Sequence, residues 1–202
     1  MVSGVFIALE GIDGAGLTTQ ANLLEQYLKL RGYNTFLTKE PTNGLIGGLV
    51  RACLRGEWRT SNRVLQLLFT ADRAHHLDYE IIPALNSGRI VICDRYMFST
   101  IAYGSLELEY EWLKQLNSKF PVPDLTVIID VKPETSIMRI RSSRVGYELF
   151  EDLGRLENVR KVYVELIVKD FKNIHVVNGE ESIDQVHSGI KRIVDEYLSK
   201  NL

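Results

Sequence analysis

An apolar run at residues 5–9 feeds directly into Glu10-Gly11-Ile12-Asp13-Gly14-Ala15-Gly16-Leu17-Thr18-Thr19-Gln20, and a helix-period segment follows at residues 21–30. A strand that turns through three glycines into a helix leaves few choices of fold. Glycines at 11, 14 and 16 let the backbone turn tightly and aim successive N–H groups at one point, and the helix adds the positive end of its dipole. Such a turn cradles phosphate, with Thr18 offering a hydroxyl to Mg²⁺. The full pattern is Gly, four residues, then Gly-Lys-Ser/Thr, and Leu17 stands where the lysine belongs. That lysine reaches the β- and γ-phosphates during transfer. Losing one preorganised charge-stabilising group costs roughly 2.7–4 kcal/mol, or about 10²–10³ in rate. A glycine-rich turn that binds nothing is the plain alternative, and the strand, the helix and Thr18-Thr19 weigh against it.

Further short apolar runs occur at residues 35–38, 89–93, 125–131 and 174–177. Residues 126–131 are nearly continuous in apolar β-branched side chains, as in a strand buried on both faces of a parallel sheet. Helix-period segments lie between the runs. Leu24 and Leu28 repeat at helical spacing, as do Leu23, Tyr27 and Leu30, and Ile183, Val186, Ile190, Ile193 and Tyr197 line one face of a C-terminal helix. Alternating strand and helix predict an α/β domain, a parallel sheet wrapped by helices on both sides. One domain is expected over residues 1–202, with the phosphate loop at 10–19. Residues 142–154 carry Arg144, Gly146 and Gly154 between two helix patterns, and read either as a lid or as a polar helix connection.

Composition excludes whole classes of function. The 202 residues hold 24 Lys+Arg against 26 Asp+Glu, a formal net charge of −2. A protein that coats polymeric nucleic acid needs a basic surplus, although a local basic pocket for a small anion is compatible with a neutral total. Cys53 and Cys93, the only cysteines, read as reduced buried residues rather than a disulfide framework. Residues 1–6 lack a basic region and a cleavage site, and no apolar stretch reaches the length of a membrane span. The expectation is a cytoplasmic protein with no membrane association.

Three weaker constellations follow the loop in order. Asp94-Arg95-Tyr96 closes the third apolar run, at the strand edge where open α/β sheets place ligands. An aspartate there holds Mg²⁺ directly or through water, and an arginine clamps phosphate; a salt-bridged turn is the alternative. Phe69, Asp72, Arg73 and His76 fall on one helical face, suited to stacking on a flat base and bonding its edge, or else simply a core phenylalanine beside a surface ion pair. His75 and His76 read as structural. Lys39-Glu40-Pro41 follows the second run, with Arg51 on a helix beyond it.

Together these residues resemble the thymidylate kinases over nearly the whole chain. The resemblance rests on Glu10-Gly11-Ile12-Asp13-Gly14-Ala15-Gly16, Glu40-Pro41, Leu68-Phe69-Thr70-Ala71-Asp72-Arg73-Ala74, and Asp94-Arg95-Tyr96 continuing through Ser99 to Tyr103-Gly104. Pro123-Asp124-Leu125, Asp130 and Pro133-Glu134 also match. It implies a P-loop nucleoside monophosphate kinase fold with a five-stranded parallel sheet, usually a homodimer. It implies transfer of the ATP γ-phosphate to dTMP with Mg²⁺, giving dTDP and ADP for dTTP supply. By that resemblance Gly11, Ile12, Asp13, Gly14, Ala15, Gly16, Leu17, Thr18 and Thr19, with Arg141, hold ATP, and Thr18 and Asp94 support Mg²⁺. Phe69 stacks on thymine, Arg73 bonds its edge, and Glu40, Ser99 and Thr100 belong to the same site. Tyr103 crowds the 2′ position, Arg51 and Arg95 hold the dTMP phosphate, and Asp13 faces the 3′-hydroxyl.

Two departures from the family pattern bear on catalysis. Gly14 stands where one branch carries an extra basic residue; in the other branch lid arginines supply that charge, which points to Arg144, with Arg141 and Arg155 nearby. The lid often ends Asp-Arg-Phe-Glu in this family, whereas this chain reads Glu148-Leu149-Phe150-Glu151. Asp94, Arg95 and Arg144 are therefore the catalytic candidates. A nucleotide-binding module that has lost most catalysis is the rival motivated by Leu17 and Leu149, and a kinase for another nucleoside or nucleotide is a third reading.

Overall fold

Strands β1 (Val5–Glu10), β2 (Thr35–Lys39), β3 (Ile90–Asp94), β4 (Leu125–Asp130) and β5 (Ile174–Asn178) form one sheet in the order β2-β3-β1-β4-β5 in the computed structural model, which describes residues 4–143 and 152–201. Every pairing is parallel. All five strands fall on the apolar runs read from the sequence, to within a residue at each end. Central β1 and β3 are buried along their whole length, and β4 all but its last residue, while the edge strands β2 and β5 are partly exposed. Only a strand covered on both faces affords an unbroken apolar run, so sequence and position agree.

The helices are α1 (Leu17–Leu30), α2 (Leu45–Leu54), α3 (Asn62–His76), α4 (Ile82–Asn86), α5 (Met97–Gly104), α6 (Tyr110–Asn117), α7 (Pro133–Ser143), α8 (Leu153–Lys161), α9 (Val168–Asp170) and α10 (Ile183–Asn201). π-Helical turns at Leu77–Ile81 and Val162–Ile167 join α3 to α4 and α8 to α9. Strand alternation sorts them onto two faces. Asp94 reaches Thr18 on α1, whereas Glu10, beyond the Leu9 that pairs with Asp94, reaches Tyr163 of the second π-turn on the opposite side. Both faces are thus covered, and α10 packs beside α1 on the Asp94 side.

Two helix faces differ from the sequence expectation. On α10 the fully buried stripe is Val186, Ile190, Val194 and Leu198; Ile193 and Tyr197 flank it, and Ile183 is exposed at the helix start. The stripe runs at successive fourth residues; it shares Val186 and Ile190 with the expected series and departs from it where Val194 and Leu198 take the place of Ile193 and Tyr197. On α1 Leu24 and Leu28 are fully buried, but Leu30 is exposed at the helix end. Cys53 and Cys93 are buried free thiols, as expected. Of the segment 142–154 expected as a lid, residues 144–151, with Arg144 and Leu149, lie outside the described residues, and its ends belong to α7 and α8.

Candidate active site

The phosphate loop is built from backbone that only glycine tolerates at two places. Gly14 has φ +76°, and a Cβ there would stand 2.6 Å from the Ser136 carbonyl oxygen of α7. Gly16, φ +92°, caps α1 without a side-chain hydrogen bond, leaving the first-turn N–H groups directed at the loop's hollow. Ser136 Oγ donates to the Asp13 carbonyl and the Tyr103 hydroxyl accepts from Asp13 N at 2.9 Å, so α7 and α5 fix the loop from two sides. Leu17 is only 5% exposed and donates nothing.

The loop is one wall of a cleft of about 680 Å³ at the carboxyl end of the sheet. Beside it, Thr18 Oγ1 donates to Asp94 Oδ2 at 2.5 Å. Arg95 holds φ +70°, a costly conformation for a residue with a side chain. Its guanidinium bridges Asp13 Oδ1 at 2.7 Å, the Gly11 carbonyl at 2.8 Å and Ser99 Oγ at 3.1 Å. Glu10 anchors this turn: its carboxylate accepts from Tyr96 N at 2.9 Å, Ser99 N at 3.2 Å, Ser99 Oγ at 2.6 Å and Tyr163 Oη at 2.9 Å. Burial pushes the Glu10 carboxyl up, with the Ser99 hydrogen bond and the Arg95 charge pulling the other way. Burial likewise raises the Tyr103 and Tyr163 hydroxyls, and Tyr163 stays protonated as a donor to Glu10.

Helix α3 supplies the opposite wall. Asp72 and Arg73 are both 1% exposed and make no pair with each other, which overturns the surface ion pair weighed as the alternative. Asp72 accepts from Thr42 N and Thr42 Oγ1, each at 2.7 Å. Arg73 turns to Glu40 Oε2 through Nε at 3.0 Å and Nη2 at 2.7 Å, and donates to Asn117 Oδ1 at 2.5 Å and Thr100 Oγ1 at 3.0 Å. Its plane lies over the Tyr96 ring, 5.0 Å from the centroid. His76 links Glu40 Oε1 at 3.1 Å to Thr38 Oγ1 at 2.7 Å, a structural role. Its partner Glu40 begins a cis Glu40–Pro41 peptide.

Most sequence-derived candidates line this one cleft: residues 12–19, Glu40, Phe69, Arg73, Asp94, Arg95, Ser99, Thr100 and Tyr103. Gly11 is not part of the lining; its carbonyl accepts from Arg95. Arg51, on α2, is turned onto the Pro41 and Thr42 carbonyls rather than into the cleft. Arg141 is exposed and outside the lining, whereas Arg139 lines it and donates to the Gly179 carbonyl at 2.9 Å. Helical phase gives the reason: Ser136 and Ile140 of α7 face the loop at Gly14, so Arg139 shares their side and Arg141 does not. That signal was available in the sequence once residue 136 was known to meet the loop. Arg144 lies outside the described residues. Asn117 and Tyr163 carry no motif, and Glu10 opens the loop motif without an assigned role; only their contacts reveal what these three do.

The thymidylate kinase family pattern matches residues 9–190. Among similar proteins, the probable thymidylate kinase of Pyrococcus abyssi is 41% identical over 203 residues, covering 96% of this chain and 98% of that protein. The probable thymidylate kinase of Pyrococcus horikoshii is 40% identical with the same coverage, and that of Sulfolobus acidocaldarius 39% identical over 96% of this chain and 97% of its own length.

Proposed function

The chain belongs to the thymidylate kinase family, and from that premise we propose that it transfers the γ-phosphoryl group of ATP to dTMP, giving dTDP and ADP. One observation carries the reading: the phosphate loop, the Thr18–Asp94 pair and the Phe69–Arg73 wall line a single cleft. Phosphoryl transfer asks for positioning and charge neutralisation rather than covalent chemistry, and these groups supply both. Phe69 stacks on the thymine. Arg73 has four of its five N–H donors engaged by Glu40, Asn117 and Thr100, which leaves one on Nη1 for the base edge. Tyr103, pinned by Asp13, excludes a 2′-hydroxyl, Asp13 takes the 3′-hydroxyl, and Arg95 takes the acceptor phosphate, joined by Arg51 only if it leaves the Pro41 and Thr42 carbonyls.

The donor set fits Mg²⁺. The described residues contain no cluster of three or more His, Cys, Asp or Glu side chains able to hold a metal. A hydroxyl and one carboxylate, Thr18 and Asp94, suit an ion that keeps most of its ligands as water and phosphate oxygens. Bound there, it would neutralise charge on the transferred group. The cleft serves the small nucleotides ATP and dTMP in a cytoplasmic enzyme; no helix among the described residues is long and apolar enough to cross a membrane. Leu45 and Leu49 of α2 and Val64 and Leu67 of α3 are exposed on two packed helices, an apolar patch that supports an isologous homodimer.

A coupled ADP-release assay with ATP, Mg²⁺ and dTMP tests the reading, with dUMP, UMP and thymidine as rival acceptors. dTMP is expected to turn over fastest, and preference for UMP would remove the role given to Tyr103. Leu17 favours the rival of a binding module with little catalysis. dTMP binding without turnover, in both wild type and Leu17→Lys, would establish that rival instead.

A further inference from the structure

Leu17 leaves the donor phosphates without the cation that their loop ordinarily supplies. Among the described residues four cationic side chains line it: Lys39, Arg73, Arg95 and Arg139. Three of them already have protein partners, and two of these are assigned to the acceptor nucleotide. Arg73 is sealed against Glu40, Asn117 and Thr100, Arg95 is bridged to Asp13 and the Gly11 carbonyl, and Arg139 is bonded to the Gly179 carbonyl. The Lys39 side chain makes no hydrogen bond or ion pair with any described residue, and the residue is exposed to solvent.

Sheet register places it. Lys39 ends β2 and is the ladder partner of Asp94 at the end of β3. Ladder partners on adjacent strands stand about 4.8 Å apart and project from the same face. Asp94 projects toward Thr18, at the start of α1. Thr38, one residue earlier, projects the other way, where its hydroxyl meets His76. Lys39 therefore rises on the α1 side, beside the carboxylate–hydroxyl pair and the phosphate loop. A lysine is suited to this task, being a compact point charge on a flexible stem that needs no fixed fork geometry.

We propose that Lys39 is a catalytic residue that replaces the missing loop lysine, its ammonium contacting β- and γ-phosphate oxygens of the triphosphate donor. The proposal rests on the kinase reading above. In the step, a dTMP phosphate oxygen forms a bond to the γ-phosphorus while the bond from that phosphorus to the β,γ-bridging oxygen breaks. The bridging oxygen keeps the electron pair and leaves on ADP, and no proton changes hands when the acceptor phosphate is dianionic. Lys39 balances the negative charge that accumulates on the leaving oxygen.

The test compares wild type, Lys39→Met, Leu17→Lys and the double variant in the ADP-release assay. Calorimetric titration with a nonhydrolysable ATP analogue and with AMP runs in parallel. Methionine keeps the apolar stem at an exposed position, so folding is preserved and only the charge is lost. Lys39→Met is expected to lose about 10²–10³ in kcat and to bind the triphosphate analogue more weakly while binding AMP as wild type does. Restoring a lysine at position 17 in the double variant is expected to recover at least about tenfold, which a structural role for Lys39 would not allow. The proposal is overturned if Lys39→Met stays within about threefold of wild type in kcat, if its analogue affinity is unchanged, or if the double variant is no faster than Lys39→Met. Should wild type turn over no acceptor, the kinase reading fails, and the calorimetric comparison still decides whether Lys39 holds the triphosphate.

Discussion

Replacing Glu40 by alanine should destabilise this protein more than most single changes, because of where its charge sits. Glu40 and Arg73 side chains are 3% and 1% exposed, and Glu40 Oε2 takes two N–H bonds from the guanidinium. Glu40→Ala leaves the Arg73 cation buried with only the neutral Asn117 and Thr100 oxygens beside it, and it strips His76 of its Nδ1 partner. Breaking a buried pair from one side costs about 3–5 kcal/mol, a large share of the roughly 5–15 kcal/mol that stabilises a typical domain. At about 2–4 °C per kcal/mol for a chain of this size, Tm should fall by about 6–20 °C. Urea unfolding is the assay: the midpoint should drop with little change in m. Arg73→Met should be similarly costly. Removing both charges should recover much of the loss, since two apolar side chains leave no ion to desolvate. The reasoning is refuted if Glu40→Ala costs under about 1 kcal/mol, or if the double variant loses the full sum of the singles, which would mean that the pair is not coupled.

Gly14→Ala should cost at least the ~1–2 kcal/mol of a left-handed residue with a side chain, and its Cβ would also displace the Ser136 carbonyl; a thermal melt and a nucleotide titration should both show the loss. Glu10 gives a pH signature. Its folded carboxyl titrates above the ordinary 4.5 because burial disfavours the anion, so the folded state holds that proton more tightly than the unfolded chain does. This contribution is fully favourable below pH 4.5 and is lost as pH rises through the raised value, so the stability of wild type relative to Glu10→Gln should decline over that window in chemical denaturation. A rising or flat difference would contradict the assignment. Leu49→Asp with Leu67→Asp should convert a dimer to a monomer in sedimentation, leaving the fold intact by circular dichroism, because both positions are exposed.

Much of this architecture is local in origin. Residues 126–131 read as a doubly buried strand because neighbouring side chains alternate faces and the run Val127-Ile128-Ile129 fills both with apolar side chains. The glycine at 14 reads as a turn because its backbone conformation excludes a side chain, whatever surrounds it. Asp94-Arg95-Tyr96 and Phe69 with Arg73 were visible as residue types at the right edges of the right elements. What each of them touches was not. Arg73 pairs with Glu40, 33 residues away, rather than with its helical neighbour Asp72, and Thr18 meets Asp94 across 76 residues. The phase of α7 selects Arg139 over Arg141, and the burial of α10 falls on Val194 and Leu198, through contacts that no spacing rule contains. Lys39 comes to stand beside Asp94 only because β2 and β3 pair in one register; a slip of one residue would turn the lysine to the other face. The sequence by itself therefore determined the strands, the loop and the absent lysine, since these depend on the conformational limits and apolar pattern of adjacent residues. The tertiary structure decided which charges are neutralised and which one is left to act, because that depends on distances between residues that packing and register, rather than chain order, bring together.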